Sequence, residues 1–173
     1  MGAFYQLVSS TGNCNEIFHK SYERSLYPSK VMTGDYGNFI ALKLTPDNLE
    51  KFDQSTKDLD ISYFLFSNID FKKIIKFAKK LNLSIRGIKA KDIEENQSEE
   101  IDEYILTKEY DDLLKYIDDN QIVIKKLDFF INGNIIKVYD SGIFWINTEL
   151  STSRKMIALL KSILNVVVDL KFL

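Results

Sequence analysis

Apolar residues recur along this chain with two different periods, and the alternation between them predicts its elements. From Ile69 to Leu81, Phe71, Ile74, Ile75, Ala78 and Leu81 fall on one helical face, while Lys72, Lys73, Lys76, Lys79 and Lys80 lie mostly off it. Ser67-Asn68-Ile69-Asp70 reads as a capping box at its start. A second helix is expected after Thr107, with Tyr110, Leu113, Leu114 and Ile117 inward and Asn120 ending it. A third follows Ser151-Thr152-Ser153, carries Met156, Leu159, Leu160, Ile163 and Leu164 on one stripe, and is expected to stop at Asn165. Thr45-Pro46-Asp47 starts a short helix, Pro46 to Phe52.

Strand signals fall between the helices, at Phe4 to Val8, Phe39 to Leu44, Ile61 to Phe66, Leu83 to Ile88, Ile101 to Leu106 and Ile122 to Ile131. Asn132-Gly133-Asn134 supplies the positive-φ residues of a tight hairpin into Ile135 to Tyr139, and Asp140-Ser141-Gly142 turns the chain into Ile143 to Asn147. Val166 to Leu173 either continues the third helix or forms an edge strand, and the β-branched run Val166, Val167 and Val168 favours the strand. The fold class is therefore α+β: a mixed, mainly antiparallel sheet with about three to five helices, ending in a β-meander followed by a helix. Strand-then-helix recurs, without residue identity between the units. Residues 1–173 read as one globular domain, with 90–100 as a mobile acidic loop.

Ile136 to Leu164, with its strand, Ser141-Gly142, second strand, Thr148 and basic-apolar helix, resembles the strand-turn-strand-helix unit of TATA-binding-protein-like folds. The resemblance covers about a sixth of the chain and implies a concave strand surface presented to nucleic acid. Only Lys137 stands on these strands as a phosphate-binding lysine, and no functional residue is carried across.

Composition narrows the class. With 45 % hydrophobic residues, 12 Phe and 9 Tyr, the chain has the makings of a substantial core and not of a disordered segment. Met1 to Ser10 lacks the basic region of a signal peptide, and no run approaches the length of apolar residues that spans a bilayer. The lone Cys14 forms no internal disulfide, so a reducing cytoplasm is the expected compartment.

Charge changes the picture more. Residues 71 to 91 hold eight Lys or Arg and no acid, whereas 92 to 120 hold twelve acids against two lysines. The total of −2 hides these two local fields. The acids suggest a surface complementary to a basic protein, with Glu99, Glu100, Asp111 and Asp112 as candidate contacts. Trp145 joins them as an anchor if it lies opposite the core, although burial against the final helix is the plainer expectation. The bases suggest phosphate contacts through Lys72, Lys76, Lys79, Lys80 and Arg86, against the plainer reading of a solvated helix face. Internal pairing of the two blocks is the bland alternative to both.

Catalytic chemistry is thinly represented. His19 is the sole histidine, so a metal site with two histidine ligands is excluded within one chain, and the spacing of Cys14 from His19 does not orient a thiol-imidazole pair. Thr33-Gly34-Asp35-Tyr36-Gly37-Asn38 reads as an ordinary turn and not as a phosphate loop. Asp118-Asp119-Asn120 lacks the ligand spacing of a calcium loop, and Asp128, Asp140 and Glu149 are the dispersed carboxylates an enzyme would have to bring together. The expectation is a non-catalytic, inhibitor- or immunity-type binding protein engaging a basic partner, with no metal and no cofactor. A nucleic-acid-binding module is the alternative, an enzyme with dispersed carboxylates the third reading, and apolar sheet surface also allows self-association.

Overall fold

Alternation along the first strand, β1 (Ala3–Ser10), puts Ala3, Tyr5 and Leu7 on one side and Phe4, Gln6 and Val8 on the other. The computed structural model describes residues 2–10, 12–32 and 38–169. β1 lies inside an eight-stranded sheet whose remaining strands are β2 (Ser29–Met32), β3 (Asn38–Leu44), β4 (Ile61–Tyr63), β5 (Ser84–Ala90), β6 (Ile124–Ile131), β7 (Asn134–Tyr139) and β8 (Ile143–Ile146). The order is β2-β3-β1-β8-β7-β6-β5, with β4 also paired to β1. All pairings among the described residues are antiparallel.

One edge of β1 is shared end to end: β8 pairs with Ala3 to Gln6, and β4 with Val8 to Ser10. Leu7 closes the junction. Its amide donates to the Gly142 carbonyl at 2.9 Å, and its carbonyl accepts from the Phe64 amide at 3.0 Å. Buried Gln6 adds a side-chain bond from Nε2 to the Ser141 carbonyl at 3.1 Å. The hairpin from β6 to β7 turns on Asn132 (φ 48°) and Gly133 (φ 79°), as its sequence predicts.

Six helices flank the sheet among the described residues: α1 (Cys14–Glu23), α2 (Phe52–Thr56), α3 (Asn68–Lys76), α4 (Glu95–Thr107), α5 (Tyr110–Asp119) and α6 (Arg154–Val168). The last four pack on the face of Tyr5, Leu7, Phe129, Val138 and Phe144, through Phe71 and Ile74, Ile101 and Ile105, Leu113 and Ile117, and Leu160 and Ile163. On the other face, Ile17 of α1 and Phe52 of α2 join Leu26 and Leu59 over Val8, Ile40 and Leu42. That second cluster covers only the β3–β1 side.

The α+β class, the closing meander and the helix after it match the sequence reading. Several local expectations are corrected. Ile101 to Leu106 is not a strand but the second half of α4, because Ile101 and Ile105 share one helical face; residues 95–100 of the expected loop are its first half. The Glu94-Gln97 capping box starts it, and Lys108 ends it in a left-handed conformation. α6 runs through Asn165 to Val168, since Val166 and Val167 are buried as helical residues and packing overrides their β preference; residues 170–173 lie outside the described residues. The Pro46 segment is a turn, then a 3-10 turn at Leu49–Lys51, with α2 beginning only at Phe52. β4 stops at Tyr63, short of Phe66. α1 and β2 carry no clear signal in the apolar pattern.

Candidate binding surface

Neither core cluster lays a described helix over the back of β8, β7, β6 and β5; only the C-terminal part of α4 borders it, in a groove with Arg86 and Phe130. The same alternation that sends Phe129, Ile136, Val138, Phe144 and Ile146 into the core sends Phe130, Ile135, Lys137, Tyr139 and Trp145 to this face. Register sorts the face into rows. Phe4, Trp145, Lys137 and Asp128 stand side by side across four strands, Tyr139, Lys126 and Lys89 across three, and Ile135 beside Phe130.

Cations sit on the rings of this face. Lys137 Nζ lies 5.4 Å from the Trp145 ring centroid, Lys126 Nζ 5.8 Å from that of Tyr139, and the Arg86 guanidinium 5.2 Å from that of Phe130. Arg86 lies where β5 is irregular, between Ile85 and Gly87. Asp128 is the acid of the central row, 3.6 Å from Lys126 Nζ, with Oδ1 buried and without a hydrogen-bond partner. Phe4 remains 44 % exposed and Ile135 39 %. Beside Phe4, the segment through Pro46 and Leu49 rises to form an apolar groove of about 500 Å³, floored by Phe4, Tyr139 and Ile143.

Trp145 therefore does not bury against α6, as the plainer sequence expectation had it. Phe144 and Ile146 take the core positions, and half-buried Trp145 packs against Gly2, where a Cβ would overlap the indole. The four candidate acids lie elsewhere: Glu99 and Glu100 on α4, Asp111 and Asp112 on the first turn of α5, all exposed. The Tyr104 hydroxyl donates to Glu100 at 3.3 Å, and burial together with that carboxylate pushes the phenol above the usual tyrosine range. Acids and tryptophan do not form one surface, since α5 packs on the core face of the sheet.

The basic helix is largely engaged within the molecule. Lys72 pairs with Asp118 of α5 at 2.7 Å, and Lys76 and Lys80 lie over the Phe77 ring. Lys76 and Lys79 share a groove with Asp111 and Asp112. Arg86, the fifth candidate, lies over Phe130 at the β5 margin of the sheet, in a groove it shares with Asp102 of α4 and with Lys108. Sequence reading missed Phe4, Lys126, Phe130 and Tyr139 as surface residues; their strand alternation held the signal, but which face lacked a helix was not in it.

The catalytic candidates do not converge. Cys14 packs against the second core cluster, while exposed His19 pairs with Glu23 at 3.1 Å on the outside of α1. Asp128, Asp140 and Glu149 each face a separate lysine: Lys126, Lys125 and Lys43. No group of three potential metal ligands occurs among the described residues, and the turn at 33–37 lies outside them. No described helix is long and apolar enough to cross a membrane. Comparison with protein-family models, curated proteins and solved structures finds no match, so the TATA-binding-like likeness extends no further than the local order β7, turn, β8, α6.

Proposed function

We propose that this chain is a binding protein whose working surface is the bare half of the sheet. The observation that supports the reading is one face that no described helix covers, yet which holds Phe4, Phe130, Ile135, Tyr139 and Trp145 with cations against three of the rings. Solvated sheet faces ordinarily alternate core with small polar residues; clustered aromatics outside the core are the composition of contact surfaces. Trp145 keeps its proposed role as an anchor, now in the company of sheet residues. Cytoplasmic residence, read from the single cysteine, belongs to the same proposal.

A second reading retains the inhibitor-type function through acids. It is favoured by α4, whose Glu95, Glu99, Glu100, Asp102 and Glu103 are all exposed and form no ion pair among the described residues. Capture from a native lysate separates the two, with bound protein and bound nucleic acid both quantified. The Phe130→Ser, Lys137→Glu double variant should lose what the unaltered chain captures, whereas neutralising Glu99, Glu100, Asp111 and Asp112 together should not. The opposite pattern would move the function to α4 and α5.

A further inference from the structure

We infer that the bare sheet face binds single-stranded nucleic acid, with bases stacked on Trp145, Phe130 and Phe4 and phosphates met by Arg86, Lys89, Lys126 and Lys137. The inference rests on the sheet-face reading above and names its ligand.

Charge complementarity carries the first step. The chain as a whole is −2, yet this face sets those four cations against Asp128 within the sheet and Asp102 of α4, which shares a groove with Arg86, Lys108 and Phe130 at the β5 margin. Lys89 and Lys126 stand directly opposite one another in the β5–β6 register. Like charges in that position repel, and an anion lying between the strands would relieve the repulsion. On the sheet face Lys126 is paired with Asp128, but Lys89 and Lys137 form no ion pair among the described residues, whereas on α3 Lys72 is paired with Asp118 and Lys76 and Lys79 share their groove with Asp111 and Asp112.

Ring placement carries the second. Ring and cation alternate over the face, with Arg86 on Phe130, Lys137 on Trp145 and Lys126 on Tyr139. A ligand that itself alternates planar rings with anions fits that pattern. Bases stack on aromatic side chains with little regard to sequence while basic residues track the backbone. An acidic protein would satisfy the lysines and leave the rings without such partners. The surface from β1 to β5 spans roughly 19 Å at about 4.8 Å per strand, room for a short single strand. At its β1 margin, the apolar groove beside Phe4 and Leu49 has the volume to receive a base. Duplex ends aside, a double helix hides its base faces, so the fit is to unpaired strands.

Trp145 is the only tryptophan, so its fluorescence reports from this face alone. Titrating the full chain at low salt with oligothymidylate or oligouridylate of about ten nucleotides should quench it saturably, and a duplex of the same length should not. Four phosphate contacts give a log–log salt slope near −3, so affinity should fall roughly fifty-fold between about 50 and 200 mM salt. By anisotropy of a labelled strand, Lys137→Glu and Arg86→Glu should each weaken binding about tenfold and flatten that slope, while Lys79→Glu leaves it in place. Circular dichroism of the same variants controls for folding. The deoxy and ribo strands distinguish DNA from RNA as the source of the ligand. Absence of saturable binding to either strand at low salt overturns the inference. The broader reading survives that result if the Phe130→Ser, Lys137→Glu variant still loses a captured protein, and falls with it if nothing captured depends on the face. Binding that Lys79→Glu abolishes and Lys137→Glu leaves intact also overturns the inference, by placing the strand on α3.

Discussion

Gly142 and Phe64 meet backbone to backbone: a Cβ on Gly142 would overlap the Phe64 carbonyl, and Gly142 holds φ at 84°. The contact lies where β8 hands the edge of β1 to β4, so there is no slack to absorb a methyl group. Gly142→Ala should destabilise the fold by about 3 kcal/mol, combining left-handed strain with displacement of the junction. Gly133 has a similar φ of 79° but open space around its Cβ position, and Gly133→Ala should cost about 1 kcal/mol. Urea midpoints of the two variants check the order; equal losses would mean that the Phe64 contact contributes nothing.

Lys73 is 6 % exposed, and its ammonium crosses from α3 to α6, donating to the Val167 carbonyl at 2.9 Å. That carbonyl belongs to the last turn of α6, the negative end of the helix dipole. Lys73→Met keeps the side-chain length and removes the charged donor, so it should cost about 2 kcal/mol. Exposed Lys79 makes no such bond, and Lys79→Met should stay within about 0.5 kcal/mol of the parent. Thermal unfolding of the pair tests this, and a neutral Lys73→Met would show that the bond holds no net stability.

The Arg24 guanidinium forks onto Asp58 at 2.6 and 2.9 Å and also donates to the Ser55 carbonyl. The hydrogen bond from Arg24 holds the Asp58 carboxyl below its ordinary value. A depressed folded value makes the carboxylate's contribution complete above the ordinary aspartate range near pH 4, and lost as pH falls through the depressed value. Asp58→Asn should therefore melt below the parent at neutral pH and converge with it in acid. Both side chains are partly in water, so added salt should narrow the neutral-pH gap. A gap unchanged in acid would contradict the assignment.

How far the sequence was legible depended on how strongly each element was patterned. α3 and α5 carry broad apolar stripes, and the β6–β8 meander carries its own turn residues, so all were readable. α4 buries only Ile101 and Ile105, a stripe thin enough to pass for strand alternation; the Glu94-Gln97 capping box is the sequence signal that marks it as a helix. α1 buries only Ile17 and Ser21 and leaves Tyr22 exposed, so it carries no apolar stripe. The candidate surface was harder because alternation assigns residues to opposite faces without saying which face a helix will cover. That choice was made by α3 to α6, all of which settle on one side of β5 to β8.

Lys72 and Asp118 show how the two charge blocks divide. Their 2.7 Å pair ties α3 to α5, and nearby Lys76 and Lys79 look across a groove at Asp111 and Asp112, whereas the acids of α4 turn to solvent. The negative block is thus split: its α5 portion offsets the basic helix and its α4 portion does not. Asp118→Lys places a third cation beside Lys72 and Lys76 and should cost about 1 kcal/mol, the upper range for an exposed pair. Adding Lys72→Asp should restore most of that loss, since the reversed charges can re-form the contact. Glu99→Lys, on α4, should change stability by less than about 0.5 kcal/mol. A double-mutant cycle at low salt checks the coupling, and additive losses at Lys72 and Asp118 would show that the fields merely lie side by side.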